Sequence, residues 1–374
     1  VQFGLGSSDL ANAANAVTAA LGQAREVAGG GSISFVFFTD CYNPQEVFQT
    51  VKKVIGTARV VGACVPGLIA GDRVLTHGVS ACVLGGDELE VVTCFGSGIS
   101  DSPDHSGRSI AWDIKSNGLE EGTLFIFPDG FASNVSKLLR SMYGLLGPDY
   151  TFVGGGTGDN LKLYRTYQFT EQGLSSDSAA VAAIRGASFR QEIGHGWRPS
   201  GQPMIVTRAE GKRVFELDGI EAFKRYAEAV GGISREQFAC CGMKFPLGVP
   251  CGDGNYLIRD PLRVEANGSI IFVTEVPQNT VVVLMETDTA TLIETAGKVA
   301  SRASAGVEKP KLAMVFDCIS RYLLLGDDFG KEVAAIRKNL EDVPWFGVLT
   351  FGEISSVYGS PFFHNKTLSV VTGW

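Results

Sequence analysis

The chain is poor in the residues that usually announce a metalloprotein. It has four histidines, His77, His105, His195 and His364, and no two stand at the spacing by which a helix presents a ligand pair. No histidine and cysteine share zinc spacing either, so an intrinsic zinc site is not expected. Eight cysteines in 374 residues are too sparse for a disulfide scaffold. Cys82 and Cys94 fall inside apolar strand patterns, where a free thiol behaves as a small hydrophobe. That usage points to a reducing, cytoplasmic setting. Basic residues do not exceed acidic ones: the net charge is −8 and the pI near 5.2. A basic face for nucleic acid or anionic membrane is therefore not expected. No apolar run has the length of a membrane span, and residues 1–23 lack a signal peptide's basic start and apolar stretch. A Gly-x-Ser-x-Gly elbow, a cysteine-protease motif and kinase, cyclase or receiver signatures are absent as well.

What remains is ample material for a packed α/β protein. Hydrophobic residues make up 45% and charged residues 19%, and the length exceeds what one core usually supports, so two domains are expected. Residues 9–28 carry apolar positions at helical spacing, with Asp9 as a candidate cap. Strand-like runs follow near 59–65, 78–84 and 89–96, then a helix near 107–115 and the apolar strand 123–127. A helix over 135–146 returns to a strand at 150–154, and alternating runs lie at 164–170, 179–185 and 204–209. Mixed sheets flanked by helices fit this pattern, a mixed α/β (α+β) class. Turn-like Gly201-Gln202-Pro203 and Glu210-Gly211-Lys212 place a boundary near Arg213, giving domains 1–212 and 213–374.

One strand–helix–strand unit recurs. Val61-Gly62-Ala63-Cys64-Val65-Pro66-Gly67-Leu68-Ile69 matches Phe346-Gly347 through Ile354 without a gap, since 347 − 62 and 352 − 67 are both 285. Phe35 to Cys41 reads like the run ending at Cys318, and Glu46-Val47 opens a helix pattern as Glu332-Val333 does. His77 falls close to the register of His364. A single repeat of this size suggests internal duplication rather than a solenoid. Leu68 stands where the later copy has Glu353, and Arg321 has no clear counterpart, so the C-terminal copy is the better candidate for function.

Candidate site residues concentrate at strand ends, where a rigid sheet positions loops. Cys318 beside Arg321 is placed to lose its proton, with His364 as base and Glu353 as orienter, which would make a nucleophile set. The alternative is a packed Cys318 and an Arg321–Glu353 ion pair. Arg259 or Arg321 could instead clamp a ligand carboxylate while Glu353 or Asp159 receives an amine. Gly154-Gly155-Gly156-Thr157-Gly158-Asp159 leads into a strand rather than a helix, so it reads as a turn permitting close backbone approach, not a phosphate loop. His195 between glycines, next to Trp197, suits a flat ligand or a haem iron. Hydrogen bonding to a strand end is the competing role for His195.

Taken together these motifs resemble the FIST family, found in bacterial sensory proteins and in an F-box protein. The likeness rests on Phe127-Pro128-Asp129-Gly130, the glycine run ending at Asp159, His195-Gly196-Trp197, Glu216-Leu217-Asp218-Gly219 with Tyr226, and Pro246-Leu247-Gly248. It continues through Arg259, Phe316 to Arg321, Gly352-Glu353-Ile354 and His364-Asn365-Lys366-Thr367. Pro66-Gly67-Leu68-Ile69 departs from it, because the family has a small polar run before Gly-Glu-Ile. The resemblance implies a sensory module that binds a small, amino-acid-like ligand. Its expected partner is a separate signalling protein such as a histidine kinase or a cyclic-dinucleotide enzyme. Some bacterial members bind haem and sense nitric oxide, which would make His195 an axial ligand; otherwise no cofactor is expected. A cysteine-dependent enzyme using Cys318 and His364 is the other class, and it is the less expected one.

Overall fold

The computed structural model describes every residue except Asp253, Val307 and Glu308. A first unit runs β1 (Gln2–Ser8), α1 (Ala13–Ala28), β2 (Ile33–Thr39), α2 (Pro44–Ile55) and β3 (Arg59–Val65). It ends in the short hairpin β4 (Leu68–Ala70) and β5 (Arg73–Leu75) and then β6 (Val79–Gly85). A second unit follows as β7 (Glu90–Ser97), α3 (Pro103–Ser116), β8 (Gly122–Pro128), α4 (Val135–Leu146) and β9 (Tyr150–Gly155). Its hairpin is β10 (Gln168–Thr170) with β11 (Gly173–Ser175), before β12 (Ser178–Arg185).

The next unit opens with β13 (Phe189–Gly194) and is then interrupted. The insertion comprises β14 (Arg198–Glu210), β15 (Arg213–Leu217), β16 (Ile220–Glu221), α5 (Ala222–Ala229) and α6 (Phe238–Lys244). It closes with β17 (Leu247–Gly252), β18 (Asn255–Arg259), β19 (Pro261–Val264), β20 (Ile270–Phe272) and β21 (Val281–Glu286). The unit resumes with α7 (Thr289–Ser304), β22 (Leu312–Cys318), α8 (Ile319–Leu325), α9 (Phe329–Leu340) and β23 (Trp345–Thr350). The hairpin β24 (Glu353–Val357) and β25 (Ser360–His364) and the strand β26 (Leu368–Gly373) complete it.

Three six-stranded sheets share one order: β1-β6-β2-β3-β10-β11, β7-β12-β8-β9-β24-β25 and β13-β26-β22-β23-β4-β5. In each, only the third and fourth strands are parallel. Each unit therefore builds four strands of its own sheet and lends its hairpin to another: β4–β5 joins β23, β10–β11 joins β3, and β24–β25 joins β9. The expected duplication is present, with Gly62 and Gly347 at one position of it, and a third copy with Gly154 completes it. That copy is hidden in sequence by a long loop: its glycine lies 14 residues before the hairpin (168 − 154), against 6 in the others (68 − 62 and 353 − 347). Strand pairing also corrects two register readings. Thr39, not Cys41, is equivalent to Cys318, and His77 is equivalent to Lys366 rather than to His364.

The central strands β2, β6 and β22 are buried along their full length, and β8 along all but its first residue. Such strands are covered on both faces, which accounts for their unbroken apolar runs. The inner faces meet in one core that includes the equivalent residues Phe37, Phe127 and Phe316, with ring centroids 5.0 and 5.9 Å apart along the series. Helices cover the outer faces. Asn12 caps α1 by accepting from Asn15 N at 2.9 Å, so the helix starts at Ala13 and not at Asp9. Asn43 caps α2 ahead of Pro44, and a proline fits the first turn because that N–H has no helical partner. The glycine run 154–158 does admit another backbone. Gly156 N donates to Gly352 O and Phe351 N to Gly156 O, both at 2.8 Å, and any Cβ on Gly158 would stand 2.0 Å from the Phe351 ring.

The insertion forms its own sheet, β18-β17-β21-β14-β15-β20-β19 with β16 on β15, around a separate core containing Tyr226, Phe238 and Phe272. The expected boundary at 212/213 falls at the turn of the hairpin β14–β15. The insertion's first and last strands pair through Arg198 and Glu286, so its two ends lie side by side.

Candidate functional site

The insertion meets the interrupted unit along a seam rich in buried polar groups. Lys366, held at φ 54° just before β26, sends Nζ to Asp260 Oδ2 at 3.1 Å and lies 5.5 Å from the Trp197 ring. Ser320 Oγ donates to the same Asp260 oxygen at 2.7 Å. Asn365 Oδ1 accepts from Thr274 Oγ1 at 2.6 Å, while its amide donates to His364 O. Asn365 and Trp197 thus fasten the two parts together and are not in the wall of the cavity lined by His195 and His364. Asp260, Thr274 and Lys366 carry this seam; Lys366 stands in the His364-Asn365-Lys366-Thr367 motif, whereas no spacing in the sequence points to Asp260 or Thr274.

Arg321 has no exposure at all and makes four hydrogen bonds. Nε and Nη2 grip Glu332 at 3.0 and 2.7 Å, Nη1 donates to His195 O at 2.8 Å, and Nη2 also reaches Leu292 O. Asp317 stands 3.4 Å away. Burial, and then the neighbouring Glu332, push the Asp317 carboxyl well above its usual range. The expected partner Glu353 is instead held by Thr350 Oγ1 at 2.7 Å and Thr367 N at 3.2 Å, and burial raises it to about 8. Neither Arg321 nor Glu353 joins His364 at a cavity, because protein groups already occupy their polar atoms.

Cys318 is 2% exposed and accepts from Lys366 N. Burial, with the adjacent Glu353 carboxyl, pushes its thiol up rather than down. A strand end that looks open in sequence is closed here by the loop 364–367 and by α8. Asp159 lies away from this cluster, in the second unit. Its carboxylate accepts from the backbone N–H groups of Leu163, Tyr164 and Arg165, ordering a loop in which Leu161 and Leu163 have positive φ.

Two of the nine candidates do line one cavity. A cavity of about 380 Å³ is bounded by His195 with Gly194 and Gly196, by Cys251, Asn255 and Tyr256 of the insertion, by Thr295 and Arg302 of α7, and by Val357, His364 and Thr367. His195 Nδ1 accepts from Trp197 N at 2.8 Å. Burial, assisted by Arg321, lowers His195 to about 4, so the ring is neutral and its proton sits on Nε2. His364 Nε2 shares a hydrogen bond of 2.8 Å with Ser355 Oγ, and burial and Arg259 lower it to about 3. Arg259, 6% exposed at the end of β18, donates through Nη1 to Ile258 O and Phe363 O, while its Nε has no partner. No described carboxylate lies within ion-pairing distance of it. No motif points to Tyr256, Thr295 or Arg302; only Thr295 and Arg302, seven residues apart on α7, share a helical face.

The cavity does not fit a haem held through His195 Nε2. A neutral imidazole that accepts at Nδ1 keeps its proton on Nε2, and an iron ligand needs that nitrogen's lone pair. Among the described residues no group of His, Cys, Asp and Glu is placed to hold a metal, and no helix is long and apolar enough to cross a membrane.

The chain belongs to the FIST family. The FIST N domain matches residues 32–220 and the FIST C domain residues 222–356, and FIST domains are sensory domains of signalling proteins. An uncharacterized protein of Mycobacterium tuberculosis is 23% identical over 99% of both chains. An uncharacterized protein of Methanocaldococcus jannaschii is 26% identical over 65% of this chain and 51% of its own. The solved PurLQS structure from Thermotoga maritima matches 99% of this chain and 72% of that one at 13% identity and a TM-score of 0.24.

Proposed function

We propose that this chain is a sensory module whose small-molecule ligand occupies the 380 Å³ cavity and whose occupied state is read by a separate signalling protein. The observation that carries this is the origin of the walls. They come from β13 and its following loop, the insertion hairpin β17–β18, α7 and the β25–β26 corner, so a ligand bridges the insertion and the three-sheet body. A ligand that binds better to one arrangement of that seam shifts the population towards it, which is the minimum a sensor requires. The volume suits an amino-acid-sized molecule. A histidine kinase or a cyclic-dinucleotide enzyme is the partner class that the family suggests. The buried, up-shifted Cys318 thiol gives the enzyme alternative little support.

Native mass spectrometry of the purified protein tests the site. A co-purified or added small molecule should be retained by the wild type and lost in Thr295→Phe, which fills the cavity from α7. Equal retention by both proteins would move the ligand elsewhere.

A further inference from the structure

We infer that the cavity selects an organic anion that carries no ammonium group, a carboxylate rather than a zwitterionic amino acid. This rests on the reading above that the cavity is the ligand site. Two donors and a fixed positive charge surround it. His195 must present Nε2–H, because its Nδ1 is used by Trp197 N. Arg302 lines the wall directly. Arg259 stands behind two wall residues, close enough for its charge to act on both Cys251 and His364. Its Nε lacks a partner although the residue is more than nine-tenths buried.

A buried guanidinium without a carboxylate is costly, because the desolvation it suffers is not offset by a counter-charge. Elsewhere at the same seam the fold supplies that counter-charge, Glu332 for Arg321 and Asp260 for Lys366. At Arg259 the fold supplies only Glu275, which acts on it without an ion-pair contact, so an anion in the adjoining cavity adds the missing counter-charge. The described lining includes no aspartate or glutamate, so an ammonium group would meet positive field and no acceptor of opposite charge. In a chain of net charge −8, a locally positive cavity is a selective feature rather than a general property of the surface.

Cys251 on the cavity wall supplies the test, because iodoacetate and iodoacetamide alkylate a thiolate by the same displacement of iodide and differ in charge. At one pH the thiolate fraction cancels from the ratio of their rates. The ratio of iodoacetate to iodoacetamide labelling at Cys251, read by peptide mass spectrometry on the full chain, should exceed that at exposed Cys240 by roughly tenfold. Arg259→Gln should bring it down towards the Cys240 value, and wall variant Arg302→Gln should lower it if the first variant fails to fold. Phenyllactate should protect Cys251, and phenylalanine, which adds the ammonium group, should protect it far less. A ratio no greater than at Cys240, or equal protection by the two ligands, overturns the anion assignment. Absence of labelling by either reagent in the native protein refutes the cavity as a ligand site, and this inference with it.

Discussion

His364 and His195 stay neutral across the physiological range because burial beside guanidinium groups lowers them to about 3 and about 4. The unfolded chain, with an ordinary histidine near 6.5, takes up those protons first as pH falls. Stability is therefore complete above about pH 6.5 and declines on acidification towards pH 4. Urea midpoints of the wild type and of His364→Gln should converge over that window, and parallel profiles would refute it. Glu353 works with the opposite sign. Its folded value of about 8 lies above the ordinary 4.5, so the folded chain holds the proton longer. The stability this confers is present below about pH 4.5 and is lost as pH rises through 8. The advantage of the wild type over Glu353→Gln should shrink with rising pH, and a constant difference would contradict the burial argument. Arg321 is a matter of structure more than of ligand contact. Arg321→Met should cost about 3–5 kcal/mol in urea unfolding, because Glu332 would remain buried without its cation. A loss under about 1 kcal/mol would mean that the buried pair adds little net stability.

Each lent hairpin depends on a small residue in the receiving strand. Phe169, Ile69 and Ile354 pair opposite Gly62, Gly347 and Gly154 respectively. A Cβ at position 62 would stand 2.1 Å from the Phe169 ring. Gly62→Val should therefore loosen β10–β11 more than β4–β5, seen as faster amide exchange confined to 168–175. Uniform acceleration would instead indicate global destabilisation. The fold protects its thiols to different degrees: Cys41 and Cys240 are exposed, whereas Cys64, Cys82, Cys94 and Cys318 are buried. Native titration should modify the first pair rapidly and leave Cys318 until unfolding. Early modification of Cys318 would revive the enzyme reading.

Across the whole molecule, cyclic lending of hairpins makes each unit incomplete without another. The β-body should lose the exchange protection of β2, β8 and β22 in a single transition, and separate transitions would show units that stand alone. The insertion differs, since it has its own core and enters and leaves through paired residues. Replacing residues 199–285 by a short glycine-serine link should preserve the strand signal of the body while abolishing cavity binding. Collapse of the body would show that the buried Lys366–Asp260 seam is essential to it.

Composition and local pattern in the sequence determined the mixed α/β class, many strands and helices before residue 186, and one repeat, because burial period and turn chemistry are local. The helix over Val135–Leu146 and the strand Arg59–Val65 could be read directly. The third copy could not, since the loop before Gln168 breaks the spacing while the pairing survives. Among the candidates, His195 and His364 line one cavity, whereas Arg321 and Glu353 have neighbours other than those the motifs suggest. Which polar atom faces a cavity depends on which partners have already satisfied it. Those partners, Glu332 for Arg321, Thr367 for Glu353 and none for Arg259 Nε, come from distant segments that only the packed sheets bring together.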